Sequence, residues 1–151
     1  MNAFKTVDDI LNFAMESEQE AVDFYNDLAE HASNKDMRSI FTQFAQEEVS
    51  HKAKIMKVKE EGTYEIAPEK LKDLKVSDYV VNVKPKPDMN YHDALILAMN
   101  KEKAAFRLYM DLSEQTDNAS MQKMFLMLAQ EESKHKLRFE LEYDEYVLRE
   151  N

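Results

Sequence analysis

Two Glu-x-x-His motifs are the residues of this sequence that could do chemistry. Glu48 precedes His51 by three positions, and Glu132 precedes His135 in the same way, 84 positions later. Side chains three residues apart project from the same face of an α-helix, so each motif can offer a carboxylate and an imidazole to one volume. Oxygen and imidazole donors suit iron or manganese, and zinc is a common substitute. The two motifs therefore predict a metal site.

The motifs belong to a longer internal repeat. The same offset of 84 relates many pairs of identical residues, including Glu18 with Glu102 and Tyr25 with Tyr109. Each half then carries an isolated Glu in its first part and a Glu-x-x-His in its second, and apolar residues recur every three or four positions throughout, as in amphipathic helices. The chain is therefore predicted to be two copies of one helical hairpin.

Composition fits this interpretation. The 151 residues include one Gly, three Pro and 33% charged residues, which is typical of long helices in one domain over 1–151. A net charge of -10 argues against nucleic-acid and anionic-membrane partners. The absence of Cys excludes disulfides, iron–sulfur clusters and thiol catalysis. No apolar run approaches the roughly 18 residues of a membrane span, so a cytoplasmic protein is expected.

The predicted fold is all-α, an antiparallel four-helix bundle. Hairpin one covers 7–60, a crossover covers 61–89, and hairpin two covers 90–148. Because the crossover is long for a loop, we expect it to run along the bundle, with a short helix at 68–74 and an extended segment at 79–83. The last helix is expected to extend beyond its counterpart and to pack its tail on the crossover or on a second subunit.

Capping patterns mark where helices begin. Thr6 with Asp9, and Ser33 with Asp36, are spaced as capping boxes. Gly62 is expected to end the second helix.

Six residues are predicted to point into the core and to form a dinuclear site. Four buried carboxylates would repel each other, and two divalent cations would cancel their charge. Without metal, raised carboxyl pKa values or an opened bundle are the alternatives, and a repeat that no longer binds metal is the competing interpretation. The candidate ligands are Glu18, Glu48, His51, Glu102, Glu132 and His135.

Four further polar residues lie next to the candidate ligands in the repeat. Glu47 and Glu131 are assigned to the rim, since Glu48 and Glu132 fall nearer the middle of the apolar stripe. Tyr25 and Tyr109 lie two turns after Glu18 and Glu102, where they either pack in the core or hydrogen-bond a ligand carboxylate.

The pattern Glu-x6-Tyr followed by Glu-x-x-His, present twice, resembles the rubrerythrin branch of the ferritin-like diiron-carboxylate superfamily. The resemblance implies that the six candidates are iron ligands and that the two tyrosines support them. Rubrerythrins carry a further Glu one turn after the third-helix ligand, whereas this chain has Ala105 there and Ala21 in the first half. Its symmetric six-residue site therefore more closely resembles simpler ferritin-like and erythrin-type centres. The resemblance also implies a rubredoxin domain, but with no Cys a built-in one is not expected, so a separate rubredoxin-type electron donor is expected.

Three functions follow as hypotheses. The first is a diiron oxidoreductase that reacts with hydrogen peroxide or dioxygen in oxidative-stress defence. The second is a ferroxidase or iron-handling protein. The third is a non-catalytic helical module stabilised by metal. A homodimer is expected, and the long crossover would allow hairpins to be exchanged between chains.

Overall fold

The computed structural model describes residues 3–83, 85, 86 and 88–150, without the side chain of residue 150. Residues 1, 2, 84, 87 and 151 of the predicted domain lie outside that description. Five helices occur within the described ranges, with a 3₁₀ turn at Val76–Asp78 and no strand. The all-α prediction is confirmed. The helices are α1 Val7–Glu30, α2 Lys35–Glu61, α3 Pro68–Leu71, α4 Tyr91–Glu114 and α5 Ala119–Glu150.

Local capping explains where α1 and α2 begin and end. The Thr6 hydroxyl accepts a hydrogen bond from the Asp9 N–H, and Asp9 accepts one in return, so the first capping box is confirmed. The second is wrong, because Asn34 rather than Ser33 caps α2 by accepting from the Met37 N–H at 2.8 Å. Gly62 ends α2 with a φ of 63°, a conformation that glycine adopts without steric cost.

The long helices form a four-helix bundle built from two hairpins. α1 packs on α2, α4 packs on α5, and the hairpins meet where α1 faces α4. Apolar side chains form two separate clusters, one around Ile10, Ile55 and Leu112 and another around Phe41 and Leu95. Along α1 the first cluster ends at Ala14 and the second begins at Ala21, so Glu18 lies between them. The bundle therefore has a polar layer enclosed by two apolar ones.

The crossover lies on the bundle, as predicted. Its buried side chains join the first apolar cluster, and the Tyr64 hydroxyl donates to the Leu112 carbonyl at 2.7 Å. The expected helix in 68–74 is the single turn of α3. Tyr79 closes the 3₁₀ turn, and its hydroxyl donates to Asp111 Oδ2 at 2.6 Å. Side-chain contacts of this kind hold the crossover, together with an isolated antiparallel bridge between Ala3 and Lys75.

The tail of α5 packs within its own bundle, and its packing on a second subunit stays a prediction. Within the described residues, its hydrogen bonds and ring contacts with other elements are made with the α1–α2 turn and the start of α4. Buried Glu142 accepts hydrogen bonds from the Ser33 and Tyr91 hydroxyls, both at 2.6 Å. The rings of Tyr91 and Tyr146 meet edge to face at 5.1 Å. The tail thus closes one end of its own bundle.

No helix within the described part of the chain is long and apolar enough to cross a bilayer.

Candidate metal centre

The polar layer contains all six predicted ligands, each no more than 3% exposed. Their donor atoms form two groups, each within 4.8 Å, and the groups have Glu48 and Glu132 in common. Glu18 and His51 complete the first group, and Glu102 and His135 complete the second. Each group could therefore hold one divalent ion, with Glu48 and Glu132 common to both groups.

Distances show how the imidazoles are aimed. His51 Nδ1 lies 2.7 Å from Glu132 Oε1 and 3.7 Å from Glu18 Oε2. His135 Nδ1 lies 3.0 Å from Glu48 Oε1 and 3.6 Å from Glu102 Oε2. Both rings thus direct Nδ1 to the centre and Nε2 away from it. The two halves match each other, as the 84-residue repeat requires.

Unpartnered buried atoms test whether a metal pair fits. Each of the six residues has one buried oxygen or nitrogen atom that makes no hydrogen bond of normal geometry. An unsatisfied buried polar group costs about 1–3 kcal/mol, so six of them in one layer need a common explanation. Metal coordination would satisfy all six. The atoms are Glu18 Oε2, Glu48 Oε1, His51 Nδ1, Glu102 Oε2, Glu132 Oε1 and His135 Nδ1.

The electrostatics of the metal-free centre favour bound protons. Burial, followed by repulsion from neighbouring carboxylates, holds the pKa of Glu48 and of Glu132 well above the usual range. Burial alone would lower the pKa of His51, but contacts with Glu18, Glu48 and Glu131 raise it to about 9. Burial would raise the pKa of Glu18, whereas its close contacts with Glu48 and His51 bring that pKa below the usual value. The centre therefore retains protons that divalent metal would displace.

Tyr25 and Tyr109 hydrogen-bond candidate ligand carboxylates of the opposite hairpin. The Tyr25 hydroxyl donates to Glu102, and the Tyr109 hydroxyl donates to Glu18. Burial and the nearby carboxylates raise the pKa of both phenols well above 10, so both remain donors. Each phenol therefore restricts the orientation of a candidate ligand across the hairpin boundary.

Glu47 and Glu131 lie at the rim, as expected, but they have contacts that the sequence analysis missed. Glu131 Oε2 contacts Nε2 of His51, and Glu47 Oε2 lies 2.8 Å from Nε2 of His135. A carboxylate that accepts the outer N–H of an imidazole leaves the inner nitrogen free to bind metal. The repeated Glu-Glu-x-x-His was the available signal, since both halves keep the first Glu.

A cleft of about 240 Å³ opens between α1 and α4 and reaches the centre. Glu18, Glu48, Glu102 and Glu132 line its inner end, and residues 79–82 of the crossover cover it. Ala21 and Ala105 form part of its walls, so the positions where the resemblance led us to look for a further Glu contribute space instead. This cleft is a path from the surface to the candidate ligands.

Comparison with known proteins agrees with this geometry. The sequence profile of the family described as Rubrerythrin matches residues 9–143. This chain belongs to the rubrerythrin family. Among solved structures, a candidate ferritin-like diiron-carboxylate protein from Thermotoga maritima aligns with a TM-score of 0.73 and 23% identity, over 97% of this chain and 99% of that one. That likeness shows a ferritin-like fold. No curated protein matches the chain significantly.

The remaining histidines of this rubrerythrin-family chain lie outside the centre. His31 ends α1, with Nδ1 at 2.9 Å from the Asp27 carbonyl. His92 lies in the first turn of α4, with Nε2 at 2.8 Å from the Tyr143 hydroxyl. Both lie near helix ends.

Replacing Tyr25 by phenylalanine is expected to destabilise the folded protein by about 1–3 kcal/mol, because buried Glu102 loses its donor. Tyr109→Phe should have a similar effect, since Tyr109 stands in the same relation to Glu18. Urea unfolding of the metal-free variants measures both changes. Strongly unequal effects would contradict the equivalence of the two hairpins.

Glu131→Gln is expected to weaken metal binding by about 10–100-fold, the usual effect of removing the outer partner of a ligand histidine. Asp144→Asn is the matched control, because it removes an exposed acid from the same helix. Competition with a chromogenic chelator gives both affinities. Equal affinity for the two variants would show that Glu131 does not orient His51.

Proposed function

We propose that this chain holds two iron ions in the bundle and is an oxidoreductase that reduces hydrogen peroxide or dioxygen. The observation that carries the proposal is the pair of donor groups that share Glu48 and Glu132. Glu18 and His51 would hold one ion, and Glu102 and His135 the other. Two ferrous ions would supply two electrons, the number that converts one hydrogen peroxide molecule to two waters.

The residues around the centre support a redox role in three ways. Apolar clusters on both sides exclude water from the layer of ligands. The phenols of Tyr25 and Tyr109 and the rim carboxylates of Glu47 and Glu131 fix the orientation of candidate ligands. The cleft between α1 and α4 admits a small oxidant to one side of the site. The described residues thus restrict access to the centre and leave a route through this cleft.

An electron donor completes the proposed cycle. With no cysteine in the sequence, the chain provides no thiolate-bound cluster of its own. We therefore propose an external donor of the rubredoxin type. A homodimer remains part of the proposal and is tested by light scattering.

Anaerobic loading with ferrous iron, followed by stopped-flow mixing with hydrogen peroxide, tests the proposed activity. We expect each peroxide molecule to oxidise two irons, faster than it oxidises the same concentration of free ferrous iron. Air-saturated buffer in a parallel experiment compares dioxygen as oxidant. Oxidation no faster than that of free iron with both oxidants would contradict the proposal.

Iron handling is a second candidate, and the rim of the cleft favours it. Exposed Glu16 and Glu20 line the cleft outside Glu18, so an acidic path leads to the ligands. Under this alternative, iron is a substrate that passes through the centre. Stoichiometry separates the two functions, because aerobic uptake far above two irons per chain would indicate iron handling.

A further inference from the structure

The cleft between α1 and α4 is larger than hydrogen peroxide or dioxygen requires. Its volume is about 240 Å³, whereas one molecule in liquid water occupies about 30 Å³ and an engineered cavity of about 150 Å³ holds benzene. A molecule with a small organic group would therefore fit where hydrogen peroxide alone would leave most of the space unused.

The lining changes from polar to apolar along the cleft. Carboxylates of the centre and the two phenols form the inner end. Phe13, Ala21, Ala105 and Leu108 contribute apolar wall further out, and residues 80 and 81 add two valine side chains from the crossover. This lining fits a molecule that has one oxygen-bearing end and one hydrocarbon end.

The charged residues of the cleft indicate which kind of molecule it can bind. The inner carboxylates, together with Glu16 and Glu20, would repel an anionic ligand. The Lys101 ammonium group on the wall lies 3.8 Å from Glu20 Oε2, so part of the lysine charge is balanced. A neutral molecule therefore suits the cleft better than a carboxylate or phosphate.

Residues 79–82 of the crossover cover the cleft, and contacts at one end of this segment hold it in place. The Tyr79 hydroxyl donates to Asp111 at 2.6 Å, and the rings of Phe4 and Tyr79 stack with centroids 6.4 Å apart. Arg107 on α4 lies 3.8 Å from Asp78. The cleft therefore has a defined roof against which an organic group can pack.

We propose that the cleft binds the organic part of an alkyl hydroperoxide and directs the hydroperoxide group to the ligand carboxylates. This inference rests on the proposed reductase function and specifies its substrate class. In the reaction, the O–O bond breaks, the substrate takes up two electrons and two protons, and the products are an alcohol and water. The electrons come from the reduced protein, and the external donor replaces them.

Ala105→Leu is the principal test variant, because Ala105 is only partly buried and a longer side chain there would fill the cleft. Ala21→Leu fills the cleft from the opposite helix. Ala53→Leu is the matched control, since it makes the same change at an exposed position of α2. Thermal melting and metal stoichiometry establish that each variant is folded and loaded.

Binding is measured with 2-phenylpropan-2-ol, the redox-inert alcohol product of cumene hydroperoxide. Titration of metal-free and zinc-loaded protein, followed by NMR, should show saturable binding to wild type and Ala53→Leu. We expect binding to be roughly tenfold weaker in Ala105→Leu, because a filled cleft must distort to accept the ligand. Absence of saturable binding to wild type, or equal binding by all folded variants, would overturn the proposal.

Reaction rates provide the second measurement. The ratio of the oxidation rate with cumene hydroperoxide to that with hydrogen peroxide should fall roughly tenfold in Ala105→Leu and remain at the wild-type value in Ala53→Leu. If wild type reacts with hydrogen peroxide but not with cumene hydroperoxide, the substrate proposal fails and the proposed function stands. If wild type reacts with neither peroxide nor dioxygen, the proposed function fails.

Discussion

Glu48→Gln is expected to reduce iron binding from two ions per chain to one or none. Glu48 belongs to both donor groups, so the substitution removes a carboxylate from each metal position at once. Removing a residue that only hydrogen-bonds a metal ligand lowers metal affinity about 10–100-fold. We therefore expect removal of a shared ligand to lower the affinity by more than about 100-fold. Metal analysis after anaerobic loading and gel filtration measures the change.

The same variant should become more stable in the absence of metal. Burial and the neighbouring carboxylates disfavour the charged form of Glu48, so folding at neutral pH requires this residue to take up a proton, and a neutral amide avoids that cost. Each kcal/mol recovered would raise the melting temperature by about 2–4 °C in a protein of this size. Opposite changes in metal affinity and metal-free stability would distinguish a ligand from a residue that only supports the fold.

Glu60→Gln is the control, because Glu60 is an exposed acid on the same helix. It should bind two irons and melt as wild type does. If Glu48→Gln also binds two irons with wild-type affinity, Glu48 is not a shared ligand and the proposed centre is wrong.

The stability gained on metal binding is expected to grow as pH rises from 6 to 9. The pKa of His51 is raised to about 9 in the folded chain, so its contribution to stability is complete below about 6.5 and is lost as pH rises through 9. The raised pKa values of Glu48 and Glu132 act in the same direction, because their protonated forms are favoured by folding. The metal-free protein should therefore be less stable at pH 9 than at pH 6.

The affinity for metal changes with pH in the opposite direction to the stability of the metal-free protein. Deprotonated ligands bind metal, so affinity rises as the centre loses protons. Free metal at about 1,000 times the dissociation constant adds about 4 kcal/mol per site. The lowered pKa of Glu18 does not alter this trend. Its contribution to folding stability is complete above the unfolded pKa of 4.5, so that contribution is constant between pH 6 and pH 9.

Thermal melting of metal-free and zinc-loaded protein at pH 6, 7, 8 and 9 measures the stability gained on metal binding at each pH. Glu48→Gln should show a flatter dependence in the metal-free series, because one of the titrating carboxyls is gone. A metal-free melting temperature that stays constant or rises across this range would contradict the electrostatic account of the centre.

Contacts between the hairpins suggest why the centre needs both halves of the repeat. Tyr25 and Tyr109 each hold a carboxylate of the other hairpin, and Glu131 contacts His51 across the same boundary. Either hairpin alone would leave its inward acids without these partners. The repeat therefore builds one site rather than two independent ones.

The sequence by itself determined the fold class and the set of inward-facing acids and imidazoles. Both depend on periodicity, and the face on which Glu18 or His135 lies is fixed by its spacing from apolar neighbours on the same helix. The 84-residue offset then identified equivalent positions in the two halves. Capping by Thr6 was also readable, because its partner is three residues away.

Only the tertiary structure decided which residues meet across helices. Ser33 was assigned to a cap because Asp36 follows at the right interval, yet its hydroxyl donates to Glu142, 109 positions away. Glu131 was assigned to the rim, and its contact with His51 depends on the rotation and axial offset of α5 against α2. The cleft beside Ala105 likewise requires both hairpins and the crossover. Spacing along one helix fixes a direction, whereas a partner on another helix is set by how the two helices pack.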